Sequence, residues 1–354
     1  MKYIECNLPD INFIISIPNE FYEQGCKKIF ESIIPYKSNS NRYINIEYNV
    51  NKIEFEGLVK GIKNCDGNIH DSFIHQKHKE IQIKNEKYFL VDTEEYICIK
   101  TNDLNYKILV GENNDTSLNW IVRIIRELYL REKEDKEYAF MHGTGLKVNN
   151  KGILILGTSG SGKTTLAVKL LEIKGKKAFL SNDRVFINED GNMDYFPQAV
   201  TYAMGTVKNN EHLDKYFRET KILEKKKKMD YENVAYNIDC NTPLSDVASI
   251  FQDTKMLART RIDAIIIPQF IKEIKKAEVI DMSNTEMKKI LEETNFTPDD
   301  TETLRKPWLR KRYLKRNELL EIRKYLIDYA IKNINIKKIR YGIETQAEDI
   351  LKCL

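Results

Sequence analysis

The chain has 354 residues, and its 57 Lys and Arg against 53 Asp and Glu give a formal net charge of +4. That length suits two domains of ordinary size, and charge so evenly balanced sets up no global field that would select nucleic acid or an anionic membrane, so neither is an expected partner. A hydrophobic fraction of 42% with 31% charged residues describes a globular protein, not a disordered one, and apolar runs such as Ile11 to Ile17 are far shorter than the ~20 residues of a membrane helix.

The first residues carry Lys2, Glu5, Asp10 and Glu20 with no small-residue cleavage site after Ile17, so no secretory signal is read and a cytoplasmic location is expected. Six cysteines lie scattered without C-x-x-C spacing, which argues for reduced thiols and against a disulfide framework or zinc site. From Lys2 to about Gly111, runs rich in Ile, Tyr, Val and Phe recur: Arg42 to Tyr48, Lys52 to Val59, Glu80 to Lys84, Lys87 to Val91 and Tyr96 to Lys100. These read as strands joined by hairpins at Asn- and Lys-rich turns. His70, Asp71, His75 and His78 invite a metal reading, but their spacing matches no standard site and a surface loop is expected.

At Asn113 to Ser117 a cluster of turn and N-cap residues precedes Ile121, Ile124, Ile125 and Leu128 at helical spacing. This sets a domain boundary near residue 115, with a β-rich domain over 1–115 and a second domain over 116–354. The apolar runs Tyr138 to Val148 and Gly152 to Leu156 flank Asn149-Asn150, a hairpin signal. A helix is expected over Thr164 to Lys174, with Leu166, Leu170 and Ile173 inward and Gly175 as its stop. Ala178 to Leu180 form the next strand, and Asp190-Gly191 is a two-residue turn between two further strands, so the sheet is mixed. Arg218 to Lys228 is expected as a solvated helix or mobile loop, Ala264 to Ile267 as a strand ending at Pro268, and Asn317 to Ile334 as a helix.

The chemistry is concentrated in Gly157-Thr158-Ser159-Gly160-Ser161-Gly162-Lys163-Thr164, which fits G-x-x-x-x-G-K-[ST] in full between a buried-type strand and an amphipathic helix. In such a phosphate-binding loop the glycines let successive N–H groups turn toward phosphate oxygens. Lys163 neutralises the terminal phosphates and the Thr164 hydroxyl ligates Mg²⁺, with Thr165 beside it, so ATP or a relative with Mg²⁺ is the expected ligand. Asp183 ends the strand after that helix, where ligands collect in open α/β sheets, and is expected to reach the Mg²⁺ or a substrate hydroxyl; the alternative is a turn residue. A two-residue turn at Asn149-Asn150 places His142 opposite Gly157 at the mouth of the loop, and its alternative is a histidine bonded within the sheet. Arg305, Lys306, Arg310, Lys311, Arg312, Lys315 and Arg316, interrupted by Trp308, Leu309, Tyr313 and Leu314, form an amphipathic basic run, expected as a solvated face, or else a site for an acidic peptide or a phosphate.

Phe140-Met141-His142-Gly143, Gly152 to Thr165 and Leu180-Ser181-Asn182-Asp183-Arg184-Val185 together resemble HPr kinase/phosphorylase and its relatives, including kinases found beside lasso-peptide and other modified-peptide genes. The resemblance covers residues 115 to 200. It implies an α/β fold with a P-loop kinase core and mixed sheet, HPr-kinase-like, behind a β-rich N-terminal domain. It also gives His142, Lys163, Thr164 and Asp183 the family's catalytic and metal-linked roles. Asn182 departs from it, standing where the family has the first of two aspartates, and an amide cannot act as a general base. The expectation is an ATP-dependent, Mg²⁺-dependent kinase acting on a hydroxyl, chiefly of serine, of a peptide or protein, with a precursor peptide encoded nearby as a candidate substrate and a homo-oligomer as an open state. The alternatives are a small-molecule kinase on the same core, or a nucleotide-binding regulator or ATPase without transferase activity.

Overall fold

The computed structural model describes residues 1–71, 77–298 and 309–354. The protein is mixed α/β and divides into two compact units, Met1–Glu137 with Phe296–Glu321, and Tyr138–Asn295 with Ile322–Leu354.

The first unit is built on an eight-stranded sheet from β1 (Lys2–Leu8), β2 (Ile11–Ile17), β3 (Tyr43–Val50), β4 (Asn68–Asp71), β5 (Lys77–Ile83), β6 (Glu86–Val91), β7 (Ile97–Asn102) and β8 (Asn105–Val110), in the order β1-β2-β3-β8-β7-β6-β5-β4. Hairpins account for the antiparallel pairs, as expected, but β3 runs parallel to both β2 and β8. Parallel neighbours need crossovers, and two helices lie in them, α1 (Tyr22–Phe30) and α2 (Lys52–Lys63). The segment Lys52 to Val59 is therefore helix, not strand. Asn51 caps it by accepting from the Glu54 N–H at 3.2 Å, and Phe55, Leu58, Val59 and Ile62 recur at helical spacing to pack on Ile81, Leu90, Ile97, Ile99 and Leu109. Its β-branched residues and Gly57 disguise that periodicity.

Asn114 and Ser117 form a capping box that starts α3 (Asp115–Asp135), whose Ile121, Ile124, Ile125 and Leu128 are wholly buried against a surface that includes α1, β2 and β8. Because α3 packs there, the boundary expected near residue 115 falls instead after Glu137. The last turns of α3 are charged yet buried. Arg131 Nε bonds Glu127 at 2.9 Å, and Arg310, 1% exposed, bonds Glu132 at 2.9 Å and Asp135 at 2.6 Å, while Arg312 bonds Glu134 at 2.8 Å. The basic run is thus no amphipathic helix over 309–315, and its two central arginines are neither a solvated face nor a peptide site, because α3 already holds them. Arg305, Lys306 and Trp308 lie outside the described residues. Removing one member strands buried charge, so Arg310→Ala is expected to destabilise the protein by ~3–5 kcal/mol. A thermal or denaturant melt reads this directly, and a change under 1 kcal/mol would mean that the pairs are dispensable.

His78 is buried with Nε2 2.5 Å from the Tyr96 hydroxyl, the behaviour of a bonded core histidine and not of a loop or metal ligand. His75 and the side chains of His70 and Asp71 lie outside the described residues, among which no cluster of His, Cys, Asp and Glu suits a metal.

The second unit carries β9 (Ala139–Met141), β10 (Gly143–Val148), β11 (Lys151–Leu156), α4 (Lys163–Leu171), β12 (Lys177–Ser181), β13 (Val185–Ile187) and β14 (Asn192–Tyr195). Beyond these come β15 (Val200–Ala203), α5 (Met204–Lys208), α6 (Glu211–Thr220), α7 (Ile222–Lys227), β16 (Asp239–Thr242), α8 (Val247–Ile250), β17 (Thr254–Met256), β18 (Arg259–Arg261), β19 (Ala264–Phe270), β20 (Glu278–Ile280) and α9 (Asn284–Glu293). The chain ends through α10 (Arg316–Asn333), β21 (Asn335–Tyr341) and α11 (Ala347–Lys352). A seven-stranded mixed sheet runs β17-β12-β10-β11-β19-β21-β20, and a four-stranded one runs β18-β14-β13-β9. Leu166 and Leu170 bury α4 against Leu146, Ile153, Ile155 and Ile266, and the helix expected to run to Lys174 ends at Leu171, with Ile173 packed on the same cluster just beyond it.

Asn149 and Asn150 both have positive φ, +48° and +69°, the two-residue turn that matches strand twist, and it fixes Val148 opposite Lys151 and Gly143 opposite Leu156. The second hairpin differs from expectation. Asn188 N–H reaches the Asn192 carbonyl across a loop of Glu189, Asp190 and Gly191, with only Gly191 in the left-handed region at +73°. Nor does β19 stop at Pro268: it runs to Phe270 and pairs in parallel with β21 throughout. The stretch Arg218 to Lys228 falls on the end of α6 and on α7.

Candidate functional site

The central strand β11 feeds the glycine-rich loop, and the loop's shape follows from its glycines. Gly160 and Gly162 take φ of +79° and +94°, where a side chain is strained, and a Cβ on Gly162 would lie 2.5 Å from the Tyr341 hydroxyl oxygen. That hydroxyl donates to the Gly162 carbonyl at 2.6 Å and pins the last turn before α4. A Cβ on Gly157 would lie 2.5 Å from Ser161 Oγ, so glycine there lets the two ends of the loop close on each other. Thr158, Ser159 and Gly160 form an exposed crest. A crest of this shape ahead of a helix N-terminus presents positive partial charge, which favours an anion.

Lys163 opens α4 and is 7% exposed, with Nζ donating to the Gly157 carbonyl at 2.8 Å and to the Thr158 carbonyl at 3.0 Å. Burial lowers the ammonium's pKa, and the Asp183 carboxylate nearby acts in the opposite sense. The Thr164 hydroxyl donates to Asn182 Oδ1 at 3.2 Å, and the Thr144 hydroxyl donates to the same oxygen at 3.0 Å. Asn182 is 3% exposed and its Nδ2 donates to the Thr201 carbonyl at 3.3 Å, so one amide ties β10, α4 and β15 together. An amide fits this role because it accepts on one side and donates on the other. Thr165 meets Thr206 hydroxyl to hydroxyl at 2.8 Å.

His142 and Asp183 occupy equivalent places in the topology. His142 is the joint at which the chain passes from β9 in the four-stranded sheet to β10 in the seven-stranded sheet, and Asp183 lies in the joint between β12 and β13, which connects the same two sheets. His142 does not extend the β10 ladder opposite Gly157, because its N–H donates to the Thr294 carbonyl at 2.6 Å. Its Nε2 lies 2.7 Å from Asp183 Oδ1, with the two side chains 25% and 40% exposed. Asp183 has φ of +67°, a conformation that Asp tolerates better than most residues. Burial pushes its pKa up, but the hydrogen bond from His142, with Arg184 and Lys163 close by, outweighs this and holds the carboxyl below the usual range. Both ends of the dyad therefore lie at one edge of the sheet with the loop.

Sequence reasoning missed Thr144, Gln198 and Tyr341. Gln198 Nε2 donates to the Asn182 carbonyl at 2.6 Å and its Oε1 accepts from Arg184 at 2.8 Å, which fixes the turn carrying Asp183. Nothing local in the sequence marks these residues, since each acts through a partner distant in the chain. For a cation, the oxygens on hand are the Thr164 hydroxyl, the Asn182 amide oxygen and the Asp183 carboxylate, hard donors of the kind Mg²⁺ accepts, and Mg²⁺ commonly keeps waters and phosphate oxygens as its remaining ligands. No protein-family model matches the chain, and no curated protein matches it in sequence.

Proposed function

We propose that the protein is an ATP- and Mg²⁺-dependent kinase that transfers the γ-phosphoryl group to a hydroxyl of a peptide or protein, on a P-loop core of the HPr-kinase-like kind. The observation that carries this reading is the convergence at one sheet edge of a glycine-rich loop, its lysine and threonine, and a carboxylate paired with an imidazole at 2.7 Å. The loop N–H groups and Lys163 would hold the phosphates, and Thr164 and Asp183 would hold Mg²⁺, which would supply positive charge against the phosphate oxygens. Asp183 accepts the proton of the attacking hydroxyl, and His142 keeps the carboxylate aimed and ionised; transfer is otherwise positioning and electrostatics. The decisive assay supplies γ-labelled ATP and Mg²⁺ with peptides encoded beside this gene: label on a serine or another hydroxyl residue supports the reading.

A second reading has its own observation. Asn182 holds the position of a family aspartate and is bound on both faces of its amide, an arrangement that a nucleotide-binding ATPase or regulator could keep without transfer. Turnover of ATP to ADP with label only in inorganic phosphate, across a broad set of peptides and small hydroxyl compounds, favours it over the kinase. Asn182→Asp distinguishes the two further. The new carboxylate faces the Thr201 carbonyl without a donor, so in a working kinase the change is expected to alter the rate modestly, within about fivefold, whereas in a degenerate site it restores transfer.

A further inference from the structure

We propose that the cavity beside α4 is the nucleoside half of this site, taking base and ribose by stacking and shape, with little discrimination between adenine and guanine. The inference rests on the reading of the loop given above. The cavity holds about 520 Å³ and begins at Thr165, the residue after the last of the loop, so a ligand seated on the loop by its phosphates runs directly into it. One wall is the Val168 face of α4, a second is Gly205 with Tyr236, and the third is Phe270 with Ile343. Phe270 ends β19, and Ile343 lies just beyond β21, so this wall stands at the carboxyl ends of strands parallel to β11, where ligands of open α/β sheets bind.

Two features of the lining define the ligand. First, it presents aromatic rings to solvent: Tyr236 is 62% exposed and Phe270 is 37% exposed, although both border a largely apolar hollow. Tyr236 is held there by its carbonyl, which accepts from the Gly205 N–H at 2.8 Å, and Phe270 by an edge contact with Tyr341 at 5.4 Å between ring centroids. Flat exposed rings suit a heteroaromatic base, because any base offers a π-face. Second, most polar side chains of the lining are already engaged with protein, Lys272 and the Asn209 amide oxygen being exceptions. Thr165 is bonded to Thr206, Asn210 to Glu172 at 2.5 Å and to the Leu213 N–H at 3.0 Å, and Lys169 to the carbonyls of Ile343 and Thr345. That leaves the Lys272 ammonium and one amide oxygen to meet the edge of a base, too few for a full donor and acceptor code, so contact area sets most of the affinity.

The test is calorimetric titration of the full chain, in Mg²⁺, with ATP, GTP and inorganic tripolyphosphate, repeated on Tyr236→Ala, Phe270→Ala and Lys163→Ala. Expected are ATP and GTP affinities within about tenfold of each other, and both at least about tenfold above tripolyphosphate, the gain from stacking. Tyr236→Ala is expected to lower ATP affinity about five- to thirtyfold and to leave tripolyphosphate unchanged, while Lys163→Ala weakens all three ligands. Phe270 packs beside Gly162, so a Phe270→Ala variant that also loses tripolyphosphate has disturbed the loop, and Tyr236→Ala then decides alone. Wild-type ATP binding no tighter than tripolyphosphate, or ATP affinity unmoved by Tyr236→Ala, overturns the nucleoside pocket and leaves the loop reading standing. A hundredfold preference for one base overturns binding by stacking alone. A wild type that binds neither ATP nor tripolyphosphate removes the loop reading, and the pocket with it.

Discussion

Lys163→Ala is expected to reduce nucleotide-dependent turnover at least a thousandfold, about 4 kcal/mol of lost transition-state stabilisation, while the fold remains. The side chain is buried, yet its amine serves the Gly157 and Thr158 carbonyls of the loop and not a hydrophobic core. Alanine is a strong helix former at the first position of α4, which further protects the fold. The melting temperature should stay within a few degrees of the wild type, and far-ultraviolet circular dichroism should be unchanged. Lys163→Arg should not rescue, because the site accommodates an amine beside two carbonyls and the larger guanidinium has no matching space or geometry. Turnover that survives the alanine change would remove the loop from the mechanism altogether.

Asp183→Asn is expected to keep ATP affinity within about threefold and to lose phosphoryl transfer about a thousandfold, since general-base chemistry contributes on that order. Asparagine suits the test because, like aspartate, it tolerates the φ of +67° found here, whereas alanine would add backbone strain to the chemical loss. The linkage sign is that of a carboxylate whose folded pKa is depressed. The stabilisation it provides is present at neutral pH and is lost as pH falls through the lowered folded value, so Asp183→Asn should cost most at neutral pH and nothing in strong acid. Partial exposure limits that stability cost to below about 1 kcal/mol. Kinetics and a melt on one preparation separate the two effects, and full activity in Asp183→Asn would refute the role given to the carboxylate.

What could be read from the sequence divides along physical lines. The Asn149-Asn150 turn was legible because two small polar residues between apolar runs specify a positive-φ pair, and from it the register of β10 and β11 follows. The buried face of α4 and the N-cap of α3 were legible for the same reason: the signals are local. Lys52 to Val59 failed because β-branched residues on a short helix imitate a strand, and only packing on Ile97, Ile99 and Leu109 decides between them. Arg310 and Arg312 failed because charge in a sequence reads as surface, while their carboxylate partners stand on α3, far away in sequence. At the site itself the residue types were legible, but not the double anchoring of Asn182 nor the joints at His142 and Asp183, since sheet changes leave no mark in composition.

The first unit is completed by Phe296–Glu321, so its chain is written in two instalments with most of the second unit between them. The contact from Arg310 to Glu132 closes a loop of 178 residues, and until that segment has left the ribosome the acidic end of α3 has no guanidinium from it to meet. Synthesis order therefore sets a waiting period: an N-terminal fragment ending at Glu137 is expected to remain loosely packed and protease-sensitive, and the ion cluster to form as one of the last folding events, after the costly closure of a long loop. Arg310 and Arg312 thus reach the acidic end of α3 only after the residues between have been made, and these ion pairs come late to the first unit.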